Sequence, residues 1–203
     1  MKNQIIEKIA NTEFDIHPIL KRRWSPRTFS DMPISDVDIK TLLEAGRWAP
    51  SSNNIQPWKI IWGVKGSETY ERIFKHLAEF NQSWVVNAPL LILTAYDTKM
   101  PDGKDNFHAL HDLGLFLAQM TFQAEHNGIA AHQMAGVDFE KAKTEFRLPN
   151  DFHVASAVAF GYYGGDVENL PEKLKKLEQQ TERERKSIIE FSFNGDFVDR
   201  EKL

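Results

Sequence analysis

The sequence contains no cysteine. Disulfides, thiolate metal centres and cysteine nucleophiles are thereby excluded, and a reducing, cytoplasmic setting fits. Long apolar runs are missing too; nothing approaches the roughly 20 residues that a membrane-spanning helix needs. The opening stretch, Met1 to Phe14, has no apolar central region and no small-residue cleavage site, so it reads as mature sequence rather than a signal peptide. Repeats, low-complexity tracts and Gly/Ser linkers are absent. There is no excess of positive charge: the net charge is −4, which offers no bulk attraction to nucleic acid or to an anionic membrane. Nor is there a Gly-rich loop of the kind that cradles a dinucleotide pyrophosphate.

What remains is 203 residues with a hydrophobic fraction of 41%. That suffices for one globular core, and a single domain over residues 1–203 is expected. Ser35 and Asp38 have the spacing of a helix capping box. Ile39, Leu42, Leu43 and Ala45 then give a buried helical face, with Pro50 past its end. Trp58 to Gly63 reads as a strand, and about Ser67 to Leu77 as a helix. Pro89 to Tyr96 is continuously apolar, as a central strand buried on both faces would be. From about Asp105 to His126, Leu110, Leu113, Gly114, Leu117, Met120, Thr121 and Ala124 recur at helical spacing, and Gly128 is placed to stop that helix. Its apolar girth predicts burial or a partner chain. Val154 to Tyr163 predicts a further strand, Leu170 to about Gln180 a charged helix, and Ile188 to Phe193 a short final strand. The order is that of an α+β protein with one long helix beneath a sheet.

Three segments carry possible chemistry. In Arg23-Trp24-Ser25-Pro26-Arg27 two cations and a hydroxyl alternate; in an extended chain all three point to one side. Arginine forks suit phosphate oxygens, although a solvated basic turn would read the same. Ala49 to Trp58 sets Ser51, Ser52, Asn53, Asn54 and Gln56 between two prolines. Side-chain amides offer donor and acceptor together, matching a pyrimidine-like edge; a plain polar loop is the alternative. Arg183, Arg185 and Lys186 form a second basic cluster, which is either a charged helix end or the other side of the same anion site. His132-Gln133-Met134-Ala135-Gly136 follows the long helix, and its small residues would let backbone N–H groups approach a ligand. His132 is either a base or a core histidine.

Taken in order, these segments resemble the nitroreductase-like flavoprotein family over nearly the whole chain. The matching elements are Arg23, Ser25 and Arg27; the A-P-S-S-x-N-x-Q-P-W stretch from Ala49; Gly128 with His132 to Gly136; Gly161-Tyr162; and Arg183 and Arg185 followed by Phe191 to Gly195. The resemblance implies a central mixed or antiparallel sheet surrounded by helices. It implies an intertwined homodimer with two FMN sites built from both chains. Arg23, Ser25, Arg183 and Arg185 would hold the phosphate and ribityl chain. Arg27 would face the N1–C2=O edge, Asn54 and Gln56 the pyrimidine, and the backbone of Ala135 and Gly136 would face N5 and O4. Trp24, Ser51, Gln133 and Met134 complete the cofactor-binding set. NADH or NADPH would supply hydride and an electron-poor small molecule, a nitroaromatic or quinone, would accept it in ping-pong fashion. No metal and no acid–base side chain is required. Two departures stand out. Trp24 and Pro26 interrupt the usual R-S-x-R, and the connection Asp97 to Asn106 is short, leaving Met100, Pro101 and Phe107 as the only lid. The other readings are a non-catalytic FMN-binding sensor or store, and a specialised relative that removes halogen or oxidises a heterocycle.

Overall fold

The computed structural model describes residues 5–197. Its centre is a four-stranded sheet in the order β1-β2-β4-β3, where β1 is Trp58–Val64, β2 Leu90–Asp97, β3 Ile129–Met134 and β4 Phe152–Tyr162. Every pairing is antiparallel, which resolves the expected mixed-or-antiparallel sheet. β2 is paired on both sides. Its alternate residues serve two cores, as period 2 requires. Leu91 and Leu93 face one way with Ile73, Trp84, Ala157 and Leu174; Leu90 and Ile92 face the other with Ile39, Leu113, Met120 and Phe160.

Helices cover both faces. On the first lie α3 (Glu68–Phe74), α4 (Glu79–Val85), α6 (Phe139–Glu145) and α7 (Glu172–Gln179). On the second lie α2 (Asp36–Arg47) and the long α5 (Ala109–His126), while the short α1 (Pro18–Arg22) touches the C-terminal half of α5. Ser35 caps α2 by accepting from the Asp38 N–H at 3.0 Å; Asp38 returns to the Ser35 hydroxyl rather than to its backbone, so the box closes through side chains. The α2–α5 crossing is close because Gly46 has no side chain: a Cβ there would come within 2.5 Å of the Phe116 ring. Gly128, at φ 73°, ends α5 as expected.

The chain departs from expectation in three places. β3 occupies Ile129–Met134, a stretch for which no strand was expected, because β4 offers it a full antiparallel edge from Ala157 to Tyr162. α4 is an additional short helix, whereas α6 opens on Asp138, whose position marks it as an N-cap and whose side chain accepts from the Lys141 N–H. The final strand expected at Ile188 to Phe193 is a single helical turn, Ile188–Glu190. Ser187 and Glu190 form a capping box that closes this turn locally, and no described strand edge lies beside it. Among the described residues no helix is long and apolar enough to cross a membrane.

Candidate active site

The segment from Arg23 to Arg27 is extended, and its burial alternates. Arg23, Ser25 and Arg27 are half-buried, whereas Trp24 and Pro26 are buried. The three polar side chains therefore share a side, and Arg23 Nη1 reaches Ser25 Oγ at 3.3 Å. Trp24 turns inward instead of joining them. Its ring stacks on Tyr163 at 6.0 Å, and the Lys8 ammonium sits 4.1 Å from its centroid. It can give the cradle only backbone.

The tail cluster meets the same place. Arg23, Arg183, Arg185 and Lys186 line one cavity of about 770 Å³, with apolar walls from Phe14, Leu20 and Phe191. Arg183 is fixed by donating to the carbonyls of Lys8 (2.9 Å) and Lys21 (2.7 Å). Burial, then the nearby charges of Arg23 and Arg185, pull its pKa below the ordinary arginine value. None of Arg23, Arg183 or Arg185 bonds a carboxylate among the described residues. Glu13 and Glu184 share the cavity lining without pairing to them, so the clustered like charges would still gain from a bound anion. Arg22, from the same basic run, is different: it is spent on buried Glu125, at 2.9 Å.

Arg27 lies deeper. Its guanidinium is 3.7 Å from Glu178 Oε2, and its Nε is buried without a partner among the described residues. A phosphorylated flavin suits this donor set, since three guanidinium forks match phosphate oxygens and the orphaned N–H awaits an acceptor.

His132 underlies the cradle. Its Nδ1 faces the Pro26 carbonyl at 2.9 Å, so that nitrogen carries the proton and donates. Its ring lies 4.4 Å from that of Trp84. Burial, aided by the charges of Arg27 and Arg23, lowers its pKa from 6.5 to about 4. With Nδ1–H committed to the Pro26 carbonyl and its charged form disfavoured by burial, His132 is a neutral strut. The unfolded chain takes up this proton first as pH falls. Its contribution is complete above pH 6.5 and drains away between 6.5 and 4, by at most about 3 kcal/mol. Urea unfolding at pH 7 and pH 4.5 should show that loss in the wild type and much less of it in His132→Asn; equal slopes would refute the strut.

Next along β3, Gln133 is exposed and lines a groove with Arg23, Leu20, Ala118 and Phe122. Met134 is buried in the core. After it, the Gly136 carbonyl accepts from Ala78 N–H (2.9 Å) and Asn81 Nδ2 (3.1 Å). A Cβ on Gly136 would come within 2.6 Å of that amide, so α4 clamps the Ala135-Gly136 turn.

The amide loop has an unusual backbone. Asn53, Asn54 and Gln56 all have positive φ, at 51°, 56° and 55°. Asparagine tolerates this region, but glutamine does so at a cost of about 1 kcal/mol or more. Ser51 Oγ holds the loop by accepting from Gln56 N–H at 3.0 Å, and Gln56 Nε2 reaches the Asn54 carbonyl and Oδ1, both at 3.2 Å. Buried Asp112 anchors it from α5: Oδ2 accepts from Ser52 N–H at 2.9 Å, and Oδ1 lies 3.1 Å from His111 Nδ1. Asp112 and Glu178 were both missed in the sequence. The signal was their place on a buried helical stripe, Asp112 four residues before Phe116 and Glu178 four after Leu174.

One chain does not bring all these pieces together. The loop is tied to Asp112 in the first turn of α5, and Arg22, beside the cradle, to Glu125 in the last. At 1.5 Å per residue these ends are roughly 20 Å apart.

Comparison with known proteins fits this geometry. The sequence profile described as Nitroreductase family matches residues 20–83 and 67–162. A Streptomyces coelicolor protein provisionally named NADH dehydrogenase/NAD(P)H nitroreductase is 26% identical over 68% of this chain and 78% of its own. A crystal structure described as an oxidoreductase containing FMN superposes with a TM-score of 0.87 at 29% identity, over 98% of this chain and 100% of that one. A nitroreductase family protein from Clostridium difficile superposes at 0.67 with 23% identity, over 88% and 97% of the two chains. This chain belongs to the nitroreductase family.

Proposed function

We propose that the chain is an FMN-dependent oxidoreductase working in the cytoplasm as a homodimer, each copy one FMN-binding domain. It takes hydride from NADH or NADPH and passes it to an electron-poor small molecule such as a nitroaromatic or quinone. The observation that carries this reading is the meeting of Arg23, Arg183 and Arg185 beside Ser25 in a cavity that also holds Lys186, none of the three arginines being bonded to the Glu13 or Glu184 carboxylates that share its lining. An FMN phosphate carries about −1.5 to −2 charges, which this set balances.

FMN, when bound, supplies the two-electron chemistry, so the protein has only to bind, orient and polarise. Arg23, Ser25, Arg183 and Arg185 hold the phosphate end. Arg27, half-buried and 3.7 Å from Glu178, holds a positive charge toward the N1–C2=O edge. The clamped turn at Ala135-Gly136 presents backbone to the N5 side. Asn54 and Gln56 offer amides to the pyrimidine edge, from the other end of α5.

The dimer follows from that distance. Along α5, Leu110, Gly114, Ala118 and Phe122 form an exposed stripe at four-residue spacing. Two copies packed antiparallel on this stripe about a two-fold axis would bring the amide loop of each to the arginines of the other. Small residues at its centre permit close approach of the helices.

The protein as purified is expected to be yellow and to release FMN, not FAD, on denaturation, and to consume NADH or NADPH steadily with a quinone or nitroaromatic present. A colourless protein that takes up no added FMN would overturn the reading. Bound FMN without turnover would indicate a sensor or store.

A further inference from the structure

The chemistry above leaves one buried acid unused. Glu178, near the end of α7, is fully buried. Its Oε1 accepts from the backbone N–H groups of Arg27 (2.7 Å) and Thr28 (3.2 Å) and from the Thr28 hydroxyl (3.3 Å). Its Oε2 makes no hydrogen bond among the described residues and faces the Arg27 guanidinium at 3.7 Å. Lys8 is the next cation; its ammonium donates to the neighbouring Leu177 carbonyl at 3.1 Å and is under the influence of the Glu178 charge. Among the described residues, the polar groups that meet the carboxylate are thus donors or cations.

A carboxylate whose only role was to hold the 27–28 backbone could be served by an amide. The second oxygen, turned to a guanidinium whose Nε has no partner, does something else. Arg27 is the one cation of the cradle that is paired with a buried acid; Arg23, Arg183 and Arg185 bond none among the described residues.

We infer that Glu178 is a positioning residue that fixes Arg27 and tempers its charge, and so sets the reduction potential of the bound flavin. The inference rests on the proposed FMN site. Reduction places negative charge at N1–C2=O, which Arg27 stabilises. A fixed carboxylate behind Arg27, in a low-dielectric interior, offsets part of that stabilisation. The reduced cofactor is bound less tightly and is the stronger donor to poor acceptors.

Glu178→Gln keeps an acceptor for the Arg27 and Thr28 N–H groups and removes the charge. It is expected to hold reduced FMN at least tenfold more tightly relative to oxidised FMN than the wild type does. That is a positive shift of about 30 mV for each factor of ten in a two-electron couple. Dye-equilibrated potentiometry reads it without turnover, and apoprotein melting reports separately on folding. Arg27→Ala should shift the potential the other way. Glu178→Asp, which keeps the charge but withdraws it, serves if the amide variant sheds FMN, and should move the potential in the same direction by less. An unchanged potential in whichever variant holds FMN, or loss of FMN from both, would overturn the inference. Failure of the wild type itself to bind FMN would instead sink the function proposed above.

Discussion

Replacing Arg23 and Arg185 together with alanine is expected to weaken FMN binding by about 10²- to 10⁴-fold. Each charge-assisted bond to phosphate contributes about 1.5–3 kcal/mol, and two such losses at separate oxygens roughly add. The fold should hardly notice, since among the described residues the Arg23 side chain bonds only Ser25 and that of Arg185 only the Glu184 carbonyl. Turnover should return at saturating FMN, because these side chains grip the far end of the cofactor and leave the reacting end alone. Arg22→Ala is the matched control. It removes the same charge one residue away but breaks the bond to buried Glu125, so it should lower stability and leave FMN affinity nearly intact. Fluorescence titration of apoprotein with FMN measures all three. An affinity in the double variant within threefold of the wild type would remove the arginine cradle from the argument.

The second large effect concerns assembly. Gly114 stands at the centre of the exposed α5 stripe, and an added Cβ there meets nothing within 4 Å of its own chain. Gly114→Glu should therefore leave the isolated fold intact and even favour the helix. Across a two-fold interface the same change sets two carboxylates against each other and against apolar surface. Burying an unpaired charge costs several kcal/mol, so the dimer dissociation constant should rise by about 10³-fold or more. Sedimentation velocity reports the dimer and circular dichroism the fold. Flavin should leave with the partner, because the amide loop leaves with it. A Gly114→Glu protein that stays dimeric, or a monomer that keeps its flavin, would contradict the antiparallel arrangement.

Much of this was readable in the residues, for identifiable reasons. The start of α2 was legible because Ser35 and Asp38 act locally. The end of α5 was legible because only a residue at ease with positive φ stops a helix as Gly128 does. β2 was legible because both its faces are apolar. β3 was not: Ile129-Ala-Ala-His-Gln-Met has no clear alternation, and its extended form comes from β4, more than twenty residues away in sequence. α4 opens at Ala78 with no side-chain cap, so nothing local announces it. Ile188 to Phe193 misled because apolar content is not pairing; a strand needs an edge, and the local capping box prevailed. At the site, residues that would face a ligand were easier to read than those that hold them. Arg23, Ser25 and Arg27 announce themselves by type and spacing. Asp112, Glu178 and the neutral strut His132 act through backbone groups distant in sequence, and only the fold brings them into contact.

The alternating burial of residues 23–27 has a consequence for how such a chain can change over evolutionary time. Trp24 and Pro26 can drift among apolar side chains that fill the same space, and Arg23 and Arg27 among those that keep the positive charge. Length cannot. Inserting or deleting one residue between Arg23 and Arg27 would exchange the two sides of every position beyond it, turning a guanidinium into the space of the Trp24 or Pro26 side chain and an apolar group toward the cavity. Substitutions here are graded and reversible, whereas single-residue length changes are all-or-none, and lineages should tolerate the first while purging the second.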